Sequence, residues 1–223
     1  MVCSHPVRAD QVRSVQITFP MRGIETSVDV RWSDRLESDG TTVIGLSFVG
    51  LAIADQHIIW DFVMSRGQEL ARFLHEQSDL GSLDLTELMN VALVSRLRSV
   101  SKGASIYDSR DDRGSGESLY AIYRGRVQQT LGASGAVDPP CELSEGHAFG
   151  GLAWLFDDIS RGSARALDDT LLLELDGHAL RWLERSSPLV LQRLLHSLTN
   201  AQHARILSAR TAASSRPAAP DLP

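Results

Sequence analysis

The chain has 223 residues, enough for one large domain or two of the common ~100–150-residue size. Its 22 basic residues stand against 28 acidic ones, so no chain-wide positive field draws it to nucleic acid or to an anionic membrane. It opens on no leader-like sequence and holds no apolar run near the ~18–20 residues that span a bilayer. The two cysteines, Cys3 and Cys141, are too far apart for C-x-x-C chemistry, so the expectation is a cytoplasmic protein with two reduced thiols.

Residues 12–19 (VRSVQITF) and 24–32 (IETSVDVRW) alternate polar and apolar around Pro20, Arg22 and Gly23, which predicts a β-hairpin. Residues 41–49 (TTVIGLSFV) predict a third strand. Asp55 then opens a helix whose apolar positions Ile58, Ile59, Phe62, Val63, Leu70, Phe73 and Leu74 share one face, interrupted by Gly67. Three strands and a closing helix make half a barrel. The polar, glycine-terminated stretch 76–81 marks a boundary, giving a first domain over residues 1–78.

The second domain, residues 82–210, begins with Asp84 and Glu87 at capping-box spacing. Short strands follow at 95–100, 105–108, 119–123, 126–131, 163–167 and 170–175, separated by glycine turns in the manner of a barrel or jelly roll. Residues 177–184 predict a helix. Ser187-Pro188 opens a last one, with an apolar stripe of Leu191, Leu194, Leu195, Leu198, Ile206 and Leu207. That stripe suits packing on its own barrel or a dimer seam. Residues 211–223, rich in Ala, Ser and Pro, predict a disordered tail.

The stretch with chemical content is residues 147–167, HAFGGLAWLFDDISRGSARAL. Gly150 and Gly151 before an apolar helical turn suggest backbone amides free to face an anion. Arg161, beside Gly162 and Ser163, can add a guanidinium that forks onto two phosphate oxygens, unless Asp157 and Asp158 engage it as a salt bridge.

The order of elements, with LRSVSKGASI, LYAIYRGRV, GHAFGGLAWL and DTLLLEL, resembles the cyclic-nucleotide-binding family over residues 84–209. The family's phosphate cassette, F-G-E-L/I-A with a later R-A/S-A, is matched by Phe149, Gly150, Leu152 and Ala153. The resemblance implies a cAMP or cGMP site built from Phe149, Gly150, Gly151, Leu152, Ala153, Arg161, Gly162 and Ser163. It implies no cofactor, no metal and no catalysis. Gly151 stands where the family has a glutamate that accepts hydrogen bonds from the ribose 2′-hydroxyl, an interaction worth ~1.5–3 kcal/mol. Arg161 matches the phosphate arginine, while a shifted alignment would put Ser160 there.

Residues 1–75, through VRSVQITFPMRGIETSVDVRWSD, IGLSFVGL and the following helix, resemble the later part of a PilZ domain, the bacterial β-barrel that senses cyclic di-GMP. The family's R-x-x-x-R and D/N-x-S-x-x-G ligand motifs are absent, so cyclic di-GMP is not expected to bind. Arg31 and Arg35 have the arginine spacing, and residues 45–50 (GLSFVG) look like the serine-glycine motif, but both fall where the family has later strands. The expectation is exposed arginines and a core strand. A barrel lacking its first strands leaves edges to be covered, and the coding region is expected to extend upstream of Met1.

No histidine pair has metal-ligand spacing, no G-x-S-x-G or Walker loop is present, and the long last helix is not followed by a DNA-reading helix pair. The fold expected is mainly β with α: a partial PilZ-like barrel, then a cyclic-nucleotide-binding-like jelly roll with flanking helices. The function expected is a second-messenger regulator that binds a cyclic nucleotide in the second barrel and relays it by helix movement to a protein partner or a second copy. The alternative is a ligand-free protein-interaction module.

Overall fold

The computed structural model describes residues 12–19, 22–35, 42–108, 118–133, 136–137, 140–150 and 161–214. Its contacts form two compact units, Met1–Arg66 and Gly67–Pro223.

In the first unit, β1 (Ser14–Thr18), β2 (Gly23–Arg35) and β3 (Thr42–Val49) make an antiparallel sheet in the order β1-β2-β3. Alternation sets its two faces: Ile24, Thr26 and Val28 are buried, while Glu25, Ser27 and Asp29 between them are exposed. Val15 and Ile44 join that buried side. Among the described residues this is an open sheet of three strands and not a closed barrel. Arg31 is exposed and its Nε donates to Ser47 Oγ at 2.8 Å, tying β2 to β3; the Arg35 side chain lies outside the described residues.

Helix α1 (Ile53–Gln77) starts in this unit. Phe62 meets Phe19 edge to face at 5.2 Å, and Arg22 pairs with Asp55. The expected apolar face is only partly buried. Phe62 is 52% and Val63 41% exposed, whereas Leu70 and Leu74 lie in the core. Burial begins at Gly67, where the helix enters the second unit. A Cβ there would stand 2.8 Å from Met89 Cε and 3.0 Å from Leu93 Cδ2, so glycine permits close approach to helix α2 (Leu85–Val94).

Asp84 caps α2 as its spacing predicts, with the Glu87 amide donating to Asp84 and the Asp84 amide to Glu87, both at 2.9 Å. Strands β4 (Arg96–Val100), β5 (Ser105–Asp108), β6 (Leu119–Arg124), β7 (Val127–Ala133), β8 (Ala136–Val137), β9 (Cys141–Leu143), β10 (Ala148–Gly150), β11 (Arg161–Ala166) and β12 (Thr170–Leu175) follow. They form one sheet in the order β10-β6-β12-β4 and another in the order β5-β11-β7-β8, with β9 also on β7. The antiparallel sheets make a jelly roll, as expected.

The β10-β6-β12-β4 sheet is covered on both faces, so β6 and β12 read as nearly continuous apolar runs. Leu119, Ala121, Leu173 and Leu175 pack with Leu74, Leu88 and the later helices, whereas Tyr120, Ile122 and Leu172 face the roll interior with Phe149 and Val127. Each fully buried leucine contributes ~1.5–3 kcal/mol over its exposed state.

Helix α3 (Gly177–Ser186) and helix α4 (Pro188–Ser214) close the unit. Ser187 serves both: its N–H donates to Leu183 O at the end of α3, and its carbonyl accepts from Leu191 at 3.2 Å. On α4, Leu191, Leu194 and Leu198 are buried and Leu207 is exposed; the Ile206 side chain lies outside the described residues. The helix runs through Ser214, into the stretch expected as tail, because Ala-rich sequence supports helix once propagation is under way. Cys141 is a free, half-buried thiol.

Gly146 occupies a left-handed turn with φ 85°, and an added Cβ would stand 1.9 Å from Gln77 O. Gly146→Ala therefore forces backbone apart in the second unit. We expect a loss of at least ~1–3 kcal/mol in denaturant unfolding, and a loss no larger than that of Gly103→Ala, whose site is open, would contradict this packing.

Candidate functional site

Strand β10 positions the start of the sequence-predicted site. It pairs antiparallel with β6, Phe149 opposite Tyr120 and Gly150 opposite Leu119. Alternation sends Ala148 to the helices and Phe149 into the roll. Gly150 then leaves the strand at φ 79°, a conformation that glycine adopts at little cost. A Cβ at this position would meet Ser118 O at 2.5 Å and the Tyr120 ring at 3.0 Å. Gly150 is thus the last residue of a strand, and Gly151 with the apolar turn expected after it lies outside the described residues.

The far end of the site is on the other sheet. In β11, Arg161 lies opposite Gly132, Gly162 opposite Leu131, and Ser163 opposite both Thr130 and Asp108. Gly162 and Ser163 are half-buried. Gly151, Leu152 and Ala153, together with Asp157, Asp158 and Ser160, lie outside the described residues, as does the Arg161 side chain. The chain between β10 and β11 thus joins the two sheets of the roll.

Behind β10 the roll holds a stacked aromatic set. Phe149 lies 5.2 Å from Tyr120 and 6.4 Å from Tyr107, with ring planes 24° and 28° apart. Gln129, 3% exposed, donates from Nε2 to the Tyr107 hydroxyl at 2.9 Å. Burial pushes the Tyr107 phenol up to about 12, against a smaller lowering by the Gln129 hydrogen bond. Tyr120 is pushed up further, first by burial and then by the Glu174 carboxylate. Both phenols stay neutral at ordinary pH and offer hydroxyls, not charge.

Among the described residues Glu174 is the buried charged one, 1% exposed, with Arg96 at 2.8 Å and Arg98 at 3.6 Å. Arg98 also lies 5.9 Å over the Tyr120 ring. Two guanidiniums around one carboxylate compensate its desolvation. A second cluster holds β10 from outside. Asp79 accepts from the Ala148 amide at 2.8 Å and pairs with Arg205, which also donates to Ala148 O. Gln202 Nε2 donates to Gly150 O at 3.2 Å.

Sequence reasoning missed these supporting groups. A lone glutamate in the apolar run TLLLEL signalled a buried charge with a partner. Nothing signalled Asp79 with Arg205, which are 126 positions apart.

No protein-family model and no curated protein matches the sequence. Solved structures do match the fold. A cyclic nucleotide-binding domain from Methylobacillus flagellatus aligns with a TM-score of 0.54 and 15% identity, over 72% of this chain and 89% of that one. The chain carries the cyclic nucleotide-binding-domain fold. The regulatory subunit of a cAMP-independent protein kinase A from Trypanosoma brucei aligns at 0.53 and 18% identity, over 78% of this chain and 60% of that one. The regulatory domain of Toxoplasma gondii protein kinase A with cAMP aligns at 0.50 and 19% identity, over 74% of this chain and 64% of that one. This chain therefore spans less than two thirds of both kinase regulatory chains.

Two predictions follow from the interior of the roll. Gly150→Ala meets both the left-handed backbone and Ser118 O, so we expect ~2–3 kcal/mol lost in denaturant unfolding; full stability would disprove the close approach. The alkaline limb tests the phenols. Their folded pKa lies above the unfolded value of about 10, so their contribution is intact below pH ~10 and is lost as pH rises towards 12 and beyond. Tyrosine absorbance should show Tyr107 and Tyr120 ionising together with unfolding; smooth ionisation of all three tyrosines near pH 10 in folded protein would contradict their burial.

Proposed function

We propose that the protein is a cytoplasmic second-messenger regulator whose second unit binds a cyclic nucleotide, cAMP or cGMP, and signals through α4 to a protein partner or a second copy. The observation that carries the reading is Gly150, which ends β10 in a left-handed turn within a cyclic nucleotide-binding-domain fold, at the point where the cassette-like residues begin. Phe149, Gly150, Gly151, Leu152 and Ala153 would form the start of the phosphate cradle, with Arg161, Gly162 and Ser163 at its end. Backbone amides and one guanidinium suit an anionic phosphate, since charge-assisted donors are the strong ones.

Relay to α4 has a physical route. Gln202 and Arg205 of α4 hydrogen-bond the backbone of β10, so a ligand that prefers one placement of β10 also selects one placement of α4. The protein acts as a receptor in this reading and catalyses nothing. The PilZ likeness of the first unit rests on its sequence alone, and without the arginine motif we assign it no cyclic di-GMP.

One residue favours a second reading. Gly151 brings no carboxylate for the ribose hydroxyl, which lowers affinity by about ten- to a hundredfold relative to a site with that bond. The ligand-free version of the domain would then act as a protein-interaction module.

Calorimetric titration of cAMP and cGMP into the purified chain, beside Arg161→Ala, separates the two. Micromolar binding that weakens at least about tenfold in the variant is the expected outcome, the weight of a charge-assisted phosphate contact. Silence up to millimolar nucleotide leaves the interaction module as the function.

A further inference from the structure

Helix α3 turns Ala179, Leu180 and Leu183 to the core. Its other face carries His178, Arg181, Trp182 and Arg185, spaced i, i+3, i+4 and i+7, so the four stand together on the side away from that core. Trp182 is 50% exposed, and Leu189, 71% exposed, follows in the first turn of α4. The outward side of α3 is therefore aromatic and basic.

Arg193 and Arg205 on α4 each pair with a carboxylate, Glu87 and Asp79. Arg181 and Arg185 make no side-chain ion pair or hydrogen bond among the described residues, and Glu184, beside Arg185 and three residues from Arg181, pairs with neither. His178 already has an interaction of its own. The C-terminus of a helix favours a cation such as Arg185, but it asks for neither Arg181 nor an exposed indole.

Charge decides what fits this face. Guanidiniums fork onto carboxylates, and Trp and Arg are the side chains that most often anchor protein interfaces. An anionic bilayer asks for more, a cluster of ~4–8 basic residues or a lipid chain as second signal, whereas α3 offers two arginines and a histidine against one glutamate. A second copy meeting the same face across a two-fold axis would set arginine against arginine.

We propose that the outward face of α3 docks an acidic segment of another protein, an apolar residue of that segment receiving Trp182 and carboxylates on either side of it receiving Arg181 and Arg185. This names a partner class for the relay read above. Ser187 joins α3 directly to α4, which places the docking face beside the helix that hydrogen-bonds β10.

The test is calorimetric titration of the full chain, without nucleotide and again with millimolar cAMP, against a synthetic helical peptide of leucine and glutamate and against its leucine-lysine counterpart. Binding of the glutamate peptide in at least one of the two conditions, weakening as salt rises, with none of the lysine peptide, is the expected result. Arg185→Glu and Trp182→Ala should each weaken it at least about tenfold, whereas Arg72→Glu, the same charge change on an exposed residue of α1, should leave it unaltered. Arg185 is exposed and unpaired, so its variant decides the matter should Trp182→Ala fail to fold. No binding of the glutamate peptide, or binding that Arg185→Glu and Arg72→Glu weaken alike, overturns the proposal. So does capture by phosphatidylserine vesicles in place of the peptide, which makes the face a membrane contact, or self-association of the chain that Arg185→Glu abolishes, which makes it an interface between copies. Absence of cAMP binding leaves docking on α3 standing, and absence of docking leaves the nucleotide reading standing.

Discussion

Asp79 holds together the end of α1, the strand β10 and the helix α4. Its carboxylate takes the Ala148 amide and the Arg205 guanidinium, its amide donates to Gly146 O, and its carbonyl accepts from Ser197. The pair is partly buried, where a charge-assisted hydrogen bond contributes ~1.5–3 kcal/mol, more than an exposed ion pair. By contrast Arg126, bridging Glu142 and Asp168 at 2.7 Å each, sits on the surface, where solvent screens most of its attraction. The site inherits its geometry from Asp79, because β10 is three residues long and takes its place from what binds its ends.

The short strand is fixed from both sides. On its outer side Arg205 and Gln202 occupy the carbonyls of Ala148 and Gly150. On its inner side Phe149 is stacked on Tyr120, whose own surroundings are set by Arg98 and Glu174. Movement of β10 would break hydrogen bonds outside and stacking inside together. The two sets of contacts would be lost together, so β10 resists displacement as a unit.

Much of the fold was legible in local pattern. The Asp84–Glu87 capping box, the β5 and β12 boundaries and the alternation of β1 and β2 depend on neighbours a few residues apart, which is the range over which side-chain periodicity and capping act. β10 was not legible. Three residues ending in glycine carry too little alternation, and the strand exists because β6 offers a register partner and Asp79 an anchor. The exposed Phe62 and Val63 make a related point: their periodicity is that of a buried face, but periodicity cannot say where along a helix a partner begins.

For the site, the sequence by itself determined which residues resemble a phosphate cassette and that position 151 lacks a carboxylate, because both are matters of residue identity. It also pointed to a barrel or jelly roll, through short strands separated by glycine turns. Only the tertiary structure decided what stands behind those residues. Glu174 with its two arginines, Tyr107 with Gln129, and Gln202 with Gly150 meet across 22 to 78 positions of chain, and local propensity has no range that long. Their meeting is fixed by the packing of two sheets and a helix, in which a buried polar atom takes its partner from a distant part of the chain.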